Sequence, residues 1–251
     1  MFLSADNFNS YYGVDLEVAR FFVDRTVPKE NLYWKNRTIY LPSAPGYIFI
    51  PLYFDLLLRS GAEKSELLSE TTVQISEFIL HSAARHESKQ IKWKQHVEEI
   101  LARLATEVHR SELQKSLEEY LCQERPIGNN KLKLGTIFPS LNRADSYLFL
   151  ISTLKSERLN HQAALDAWRA LMTYFLIMDD LSDIKEDLQN QEENAFVDAG
   201  LHALGVQEIS QMLNESIECL NAMNPTLGKR LQQQKNLIDI DAIIQSIRSS
   251  S

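Results

Sequence analysis

Cysteine, proline, glycine and basic charge are all in short supply. The two cysteines, Cys122 and Cys219, stand far apart and form no CxxC or Cys/His spacing, which excludes a disulfide framework and a thiolate zinc site. Both fall inside apolar helical patterns and read as small buried thiols. Only 8 glycines and 7 prolines interrupt 251 residues, so collagenous, low-complexity and turn-rich β architectures are excluded. Lys and Arg number 26 against 34 Asp and Glu, and the resulting net charge of -8 argues against a general nucleic-acid binder. The longest apolar run, YIFIPLYFDLLL, is too short to span a bilayer and carries Asp55. The start, MFLSADNFNS, has neither a basic n-region nor a long apolar core, so no secretory signal is expected and a reducing cytoplasm is the expected location. No Ser-His-Asp, P-loop or GxGxxG pattern occurs, and Tyr11, Tyr12, Tyr33 and Tyr40 make no motif.

What is present is long stretches of 3.6-residue periodicity. VDLEVARFFVDR reads as a first helix, followed by a connector over 31–46. GYIFIPLYFDLLLRSG is a mostly apolar helix closed by Gly61. SELLSETTVQISEFILHSAARHE follows, with Ser65 as the expected N-cap. KWKQHVEEILARLATEVHRSELQKSLEEYL is a charged amphipathic helix or pair of helices. CQERPIGNNKLKLGTIFPS is the clearest loop. ADSYLFLISTLKSERL and HQAALDAWRALMTYFLIMDDLSDIKEDLQN come next, then a helix after Gly200 to about Met223. Asn224-Pro225 breaks that helix before a last segment. The expectation is one all-α domain over 1–251, a bundle of roughly eight to ten helices.

One stretch stands out. From Ala163 to Met178 the chain leaves almost no polar face, as a helix buried in the protein centre would. It then turns acidic at Asp179, Asp180, Asp183 and Asp187, with Lys185 the one cation nearby. Asp179, Asp183 and Asp187 follow at i, i+4 and i+8 and share a face with Trp168, Met172 and Phe175. The helix would line an apolar space with Trp168, Met172 and Phe175 and place carboxylates at its mouth. Unneutralised, like charges at this spacing repel, and carboxylates leaving a buried segment lose hydration. A hard cation removes the repulsion. Oxygen ligands without His or Cys suit Mg²⁺ or Mn²⁺, which fill their shells with water and phosphate oxygens. The plainer alternative is a solvated helix end, since Glu186, Glu192 and Glu193 continue the acidity.

FLIMDDLSD resembles the second aspartate-rich motif of the trans-isoprenyl diphosphate synthases, and the Asp179/Asp183/Asp187 spacing is similar to the metal triad of class I terpene cyclases. Upstream, GYIFIPLYFDLLLRSGAEKSELLSETTVQISEFILHSAARHES looks like the region that leads to the family's first aspartate-rich motif. Glu77 matches the Glu of that pattern, His86 its His and Glu87 its first Asp, while Ser88 and Ile91 replace the other two. ADSYLFLISTLK is similar to the YLxxIxxKT helix, with Lys155 near its lysine. No RRGxP-like or GKxxGxD motif follows.

This resemblance to the isoprenoid synthase superfamily implies several expectations. The fold would be the all-α isoprenoid-synthase bundle, with a prenyl diphosphate as ligand and a homodimer as the assembly. Asp179, Asp183 and Asp187 would hold Mg²⁺ or Mn²⁺ with Asp180 in support, and Glu87 would be the remnant of the facing motif. Lys155, Arg158 and Arg85 would be diphosphate-binding, while His81, His86, Arg85 and Lys89 could form a basic patch facing the stripe. With one motif reduced, two readings stay open: a divergent Mg²⁺-dependent prenyltransferase or cyclase, or a non-catalytic relative that binds a lipid or diphosphate or serves as a partner subunit. An unrelated helical scaffold is the third.

Overall fold

The structure, a computed structural model, describes residues 4–37, 40, 48–128 and 134–249. Part of the expected 31–46 connector and of the 122–140 loop lies outside these residues. Among the described residues the chain is all-α, with no strand. It has ten helices of eight residues or more and three single turns. In chain order they are α1 (Ala5–Tyr12), α2 (Leu16–Asp24), α3 (Phe49–Arg59), α4 (Lys64–Leu67), α5 (Glu70–Glu87), α6 (Trp93–Leu104), α7 (Ser111–Tyr120), α8 (Phe149–Ser152), α9 (His161–Asn190), α10 (Ala195–Asp198), α11 (Ala203–Met223), α12 (Pro225–Lys235) and α13 (Ile240–Arg248).

α9 is the axis of the molecule. Asn160 caps its start by accepting from the Ala163 N–H at 3.1 Å, and Gln191 ends it in the left-handed region at φ 56°. Between those caps the apolar stretch read from the sequence is buried almost throughout, from Ala164 to Ile177. α11, α3, α10 and α13 pack around it, and α12 packs on α11. Buried side chains from α1 to α13 form one contiguous apolar core.

Several local expectations are corrected. The helix expected over VDLEVARFFVDR forms as α2, but it is the second, since α1 precedes it. α1 is mostly polar, so its periodicity is faint. It forms because Ser4 caps the Asn7 N–H and because Phe8 and Tyr12, at i and i+4, bury one face. Gly13 closes it at φ 66°, where a Cβ would lie 2.5 Å from Asn224 Oδ1, so the position accepts glycine alone. The long segment after Gly61 breaks into α4 and α5 because Ser69, not Ser65, caps the main helix through the Thr72 N–H at 3.2 Å. Cys219 is half-buried, but Cys122 is exposed, because it lies just past the end of α7 rather than within it.

Candidate functional site

α5 and α9 present matching faces across an internal space. Leu80, Ala83 and Glu87 recur at helical spacing on α5, and Trp168, Met172, Phe175 and Asp179 do so on α9. Together with Ile48, Phe49 and Tyr147 they line a cavity of about 860 Å³. The walls are mostly apolar and aromatic, and the charged lining residues are Glu87 on α5, Asp179 on α9 and Arg143, with Ser182 one turn beyond Asp179. Glu87, Asp179 and Ser182 are solvent-exposed, so this end is the mouth. The turn after α12 supplies a second rim at Leu237, which is 86% exposed.

The four stripe aspartates divide into two pairs. Asp180 is 2% exposed and accepts from the Arg143 guanidinium at 2.8 Å and from the Ala195 N–H at 2.7 Å. Asp187 is 9% exposed and accepts from Asn194 Nδ2 at 2.7 Å, and the same amide donates to the Asp180 carbonyl at 2.7 Å. These two carboxylates therefore fasten the α9–α10 turn. Asp179 lines the mouth with Arg143 at 3.5 Å, and Asp183 is exposed one turn on. Protein packed around Asp179 and Glu87 raises both carboxyls above their ordinary range, while Arg143 pulls each back. Asp183 and Asp187 push Asp179 further up.

The three cations expected to clamp a diphosphate stand elsewhere. Arg85 makes two contacts with the Glu99 carboxylate, at 2.9 and 2.8 Å. Lys155 borders a separate, open polar pocket of about 520 Å³, where its backbone N–H bonds Glu66. Arg158 is exposed on the turn before α9, and none of the three lines the cavity. The residues expected as a basic patch, His81, Arg85, His86 and Lys89, do not line the cavity either. His81 accepts from the Leu32 N–H at 2.9 Å and burial lowers its pKa, while His86 lies 3.2 Å from Glu124. Glu77 is buried in an ion pair with Arg25 at 2.6 Å.

The cation that does reach the mouth is Arg143, which the sequence reading missed. It follows a 3-10 turn (Pro139–Asn142), where no periodicity marks it. The signal available was that it is the one cation between Lys133 and Lys155. Arg143 also donates to the Ser140 carbonyl at 2.9 Å, which fixes its approach.

A metal cluster of the expected kind does not fit this arrangement. Among the described residues no group of three or more His, Cys, Asp or Glu side chains could hold a metal ion. Asp180 and Asp187 already satisfy protein donors, and Arg143 stands against Asp179. Asp179 and Asp183 remain as the carboxylates of the stripe that face outward.

Beneath the cavity lies a carboxyl that no motif announced. Asp145 is 4% exposed and accepts from Tyr120 Oη at 2.6 Å and from Trp168 Nε1 at 2.8 Å. Burial lifts its pKa from the ordinary 3.8 to about 6, against the two donors. The native state thus holds this proton more tightly than the unfolded chain. Asp145 then costs nothing below its unfolded pKa, and stability falls as pH rises toward about 6, by about 3 kcal/mol in all. The stability of the wild type relative to Asp145→Asn, followed by denaturant titration, is expected to grow by that amount from neutral pH down to about 3, below the unfolded pKa. A flat difference would exclude a buried, titrating Asp145.

No family model, curated protein or solved structure matches the chain, so the functional reading rests on this geometry and on the sequence motif.

Proposed function

We propose that the chain is a divergent isoprenoid-synthase-like protein that binds a prenyl diphosphate, with its apolar tail in the cavity and its head at the Glu87/Asp179 mouth. The observation that carries this reading is the cavity itself. Apolar walls from Trp168 to Phe175 run directly into carboxylates on two facing helices. Its volume of about 860 Å³ falls within the roughly 300–1,000 Å³ usual for small-molecule sites. Mg²⁺ or Mn²⁺ arriving with the diphosphate would meet Asp179 and Asp183, since a hard cation of this kind needs only one or two carboxylates. Arg143 would face the same head. A second reading, a binding module without turnover, is favoured by the structural use of Asp180 and Asp187, which leaves too few free carboxylates for a full ion cluster.

Thermal unfolding with farnesyl diphosphate and Mg²⁺ tests the binding. Ligand at 100-fold its Kd is expected to add about 2.7 kcal/mol. Ala83→Phe, which projects a ring into the cavity, is expected to abolish that shift while leaving the fold intact. A shift of equal size in Ala83→Phe, or with pyrophosphate in place of the prenyl compound, would remove the tail from the cavity. Pyrophosphate release from the bound compound separates the enzyme from the module.

A further inference from the structure

The mouth of the cavity is short of positive charge. Arg143 is the one cation that lines it among the described residues. That guanidinium already lies 2.8 Å from Asp180 and 3.5 Å from Asp179, and Glu87 lies within its field. One cation therefore answers three carboxylates, with Asp183 following as a fourth. Glu193 nearby is paired with Arg125 at 2.8 Å and brings no cation to the mouth. Behind the carboxylates the walls include Ile79, Leu80, Met172, Phe175 and Leu176, and apart from Arg143 the polar side chains among the rest of the lining, such as Ser146 and Gln234, are uncharged.

An anionic head meets repulsion here unless a metal accompanies it. A positive head needs no such help. We propose that this cavity binds a single-chain alkylammonium amphiphile, its tail among the apolar walls and its ammonium between Glu87 and Asp179, without a metal ion. An ammonium carries donors and no acceptor, and a carboxylate carries acceptors only, so the two satisfy each other directly. Glu87 and Asp179 stand exposed at the mouth on facing helices, and the nearest cation, Arg143, lies 3.5 Å from Asp179 and is engaged with Asp180 at 2.8 Å. The ligand class goes beyond the diphosphate reading and shares with it only the cavity.

The test compares n-decylammonium, n-decanol and decyl phosphate, each below its micellar concentration, with EDTA present throughout and at neutral pH. Dissociation constants are read by calorimetry or thermal shift. Decylammonium is expected to bind about tenfold or more tightly than decanol, and decyl phosphate more weakly than either. The Glu87→Gln/Asp179→Asn double variant is expected to bring decylammonium to the level of decanol, and added salt to narrow the gap in the wild type. Ala83→Phe is expected to weaken all three. Should the double variant not fold, the single exposed variant Asp183→Asn serves, with a smaller loss for decylammonium alone. Equal binding of decylammonium and decanol, or tightest binding of decyl phosphate, would overturn the proposal. Farnesyl diphosphate with Mg²⁺, measured alongside, reports on the earlier reading. Its success or failure leaves the ammonium-to-alcohol ratio untouched.

Discussion

Asp180→Ala is expected to lower stability by about 3 kcal/mol, near the lower end for breaking a buried ion pair because Arg143 keeps some access to solvent. The loss has three parts. The Arg143 guanidinium is left against Asp179 alone, at 3.5 Å. The Ala195 N–H, at the first residue of α10, loses its acceptor, and a buried donor without a partner is costly. The α9–α10 turn then rests on Asn194 and Asp187. Asp183→Ala, one turn along the same helix, is expected to change stability little and in the stabilising direction, since it removes a repulsion and no bond. Guanidinium chloride titrations of the two variants decide the point. Equal losses would mean that the stripe acts as a unit. Equal silence would mean that Asp180 is not the buried clamp its two bonds describe.

The second large effect belongs to Trp168. Its ring stacks on Tyr147 at 4.9 Å and meets Tyr53 and Phe49 edge-on at 4.8 and 5.9 Å. Its indole N–H donates to the buried Asp145. Trp168→Ala is expected to cost about 3–5 kcal/mol from lost packing and the enlarged cavity, with a further loss because Asp145 keeps only its Tyr120 donor. Trp168→Phe retains most of the apolar surface and removes the donor, so about 1–3 kcal/mol is expected. It carries a signature that packing alone would not give. With one donor gone, the Asp145 titration moves to higher pH. The pH dependence of unfolding for wild type and Trp168→Phe reads this shift. Coincident profiles would show that the indole N–H does not support the carboxylate.

Much of the architecture was legible along the chain, and the reasons are particular. α9 is 30 residues made mostly of good helix formers between an Asn cap and a left-handed stop, and its extent follows from its length without Gly or Pro. The break at Asn224-Pro225 is legible because Pro cannot continue α11 yet can open α12. α1 was not legible, since its face is two aromatics in a polar octapeptide and its caps matter more than its pattern. At the site, Trp168, Met172, Phe175 and Asp179 share a face by helical geometry, and all four line the cavity. Spacing placed Asp183 and Asp187 on that face too. It could not show that Asn194, beyond the helix end, would take up Asp187.

The boundary between the two kinds of information follows from range. Local bonding and periodicity act within a few residues, so the sequence by itself determined that the chain is helical, that α9 is buried, and that its acidic end follows an apolar face. Which carboxylates stay free was decided by partners far away in the chain. Arg143 lies 37 positions from Asp180, and Tyr120 lies 25 from Asp145. The cavity too exists only because α5 and α9, far apart in sequence, stop short of filling the space between them. A charge pattern fixes where repulsion must be relieved. Only the tertiary packing decides whether an arginine, a backbone N–H or a ligand relieves it, because that depends on which donors the folded chain brings within hydrogen-bonding distance.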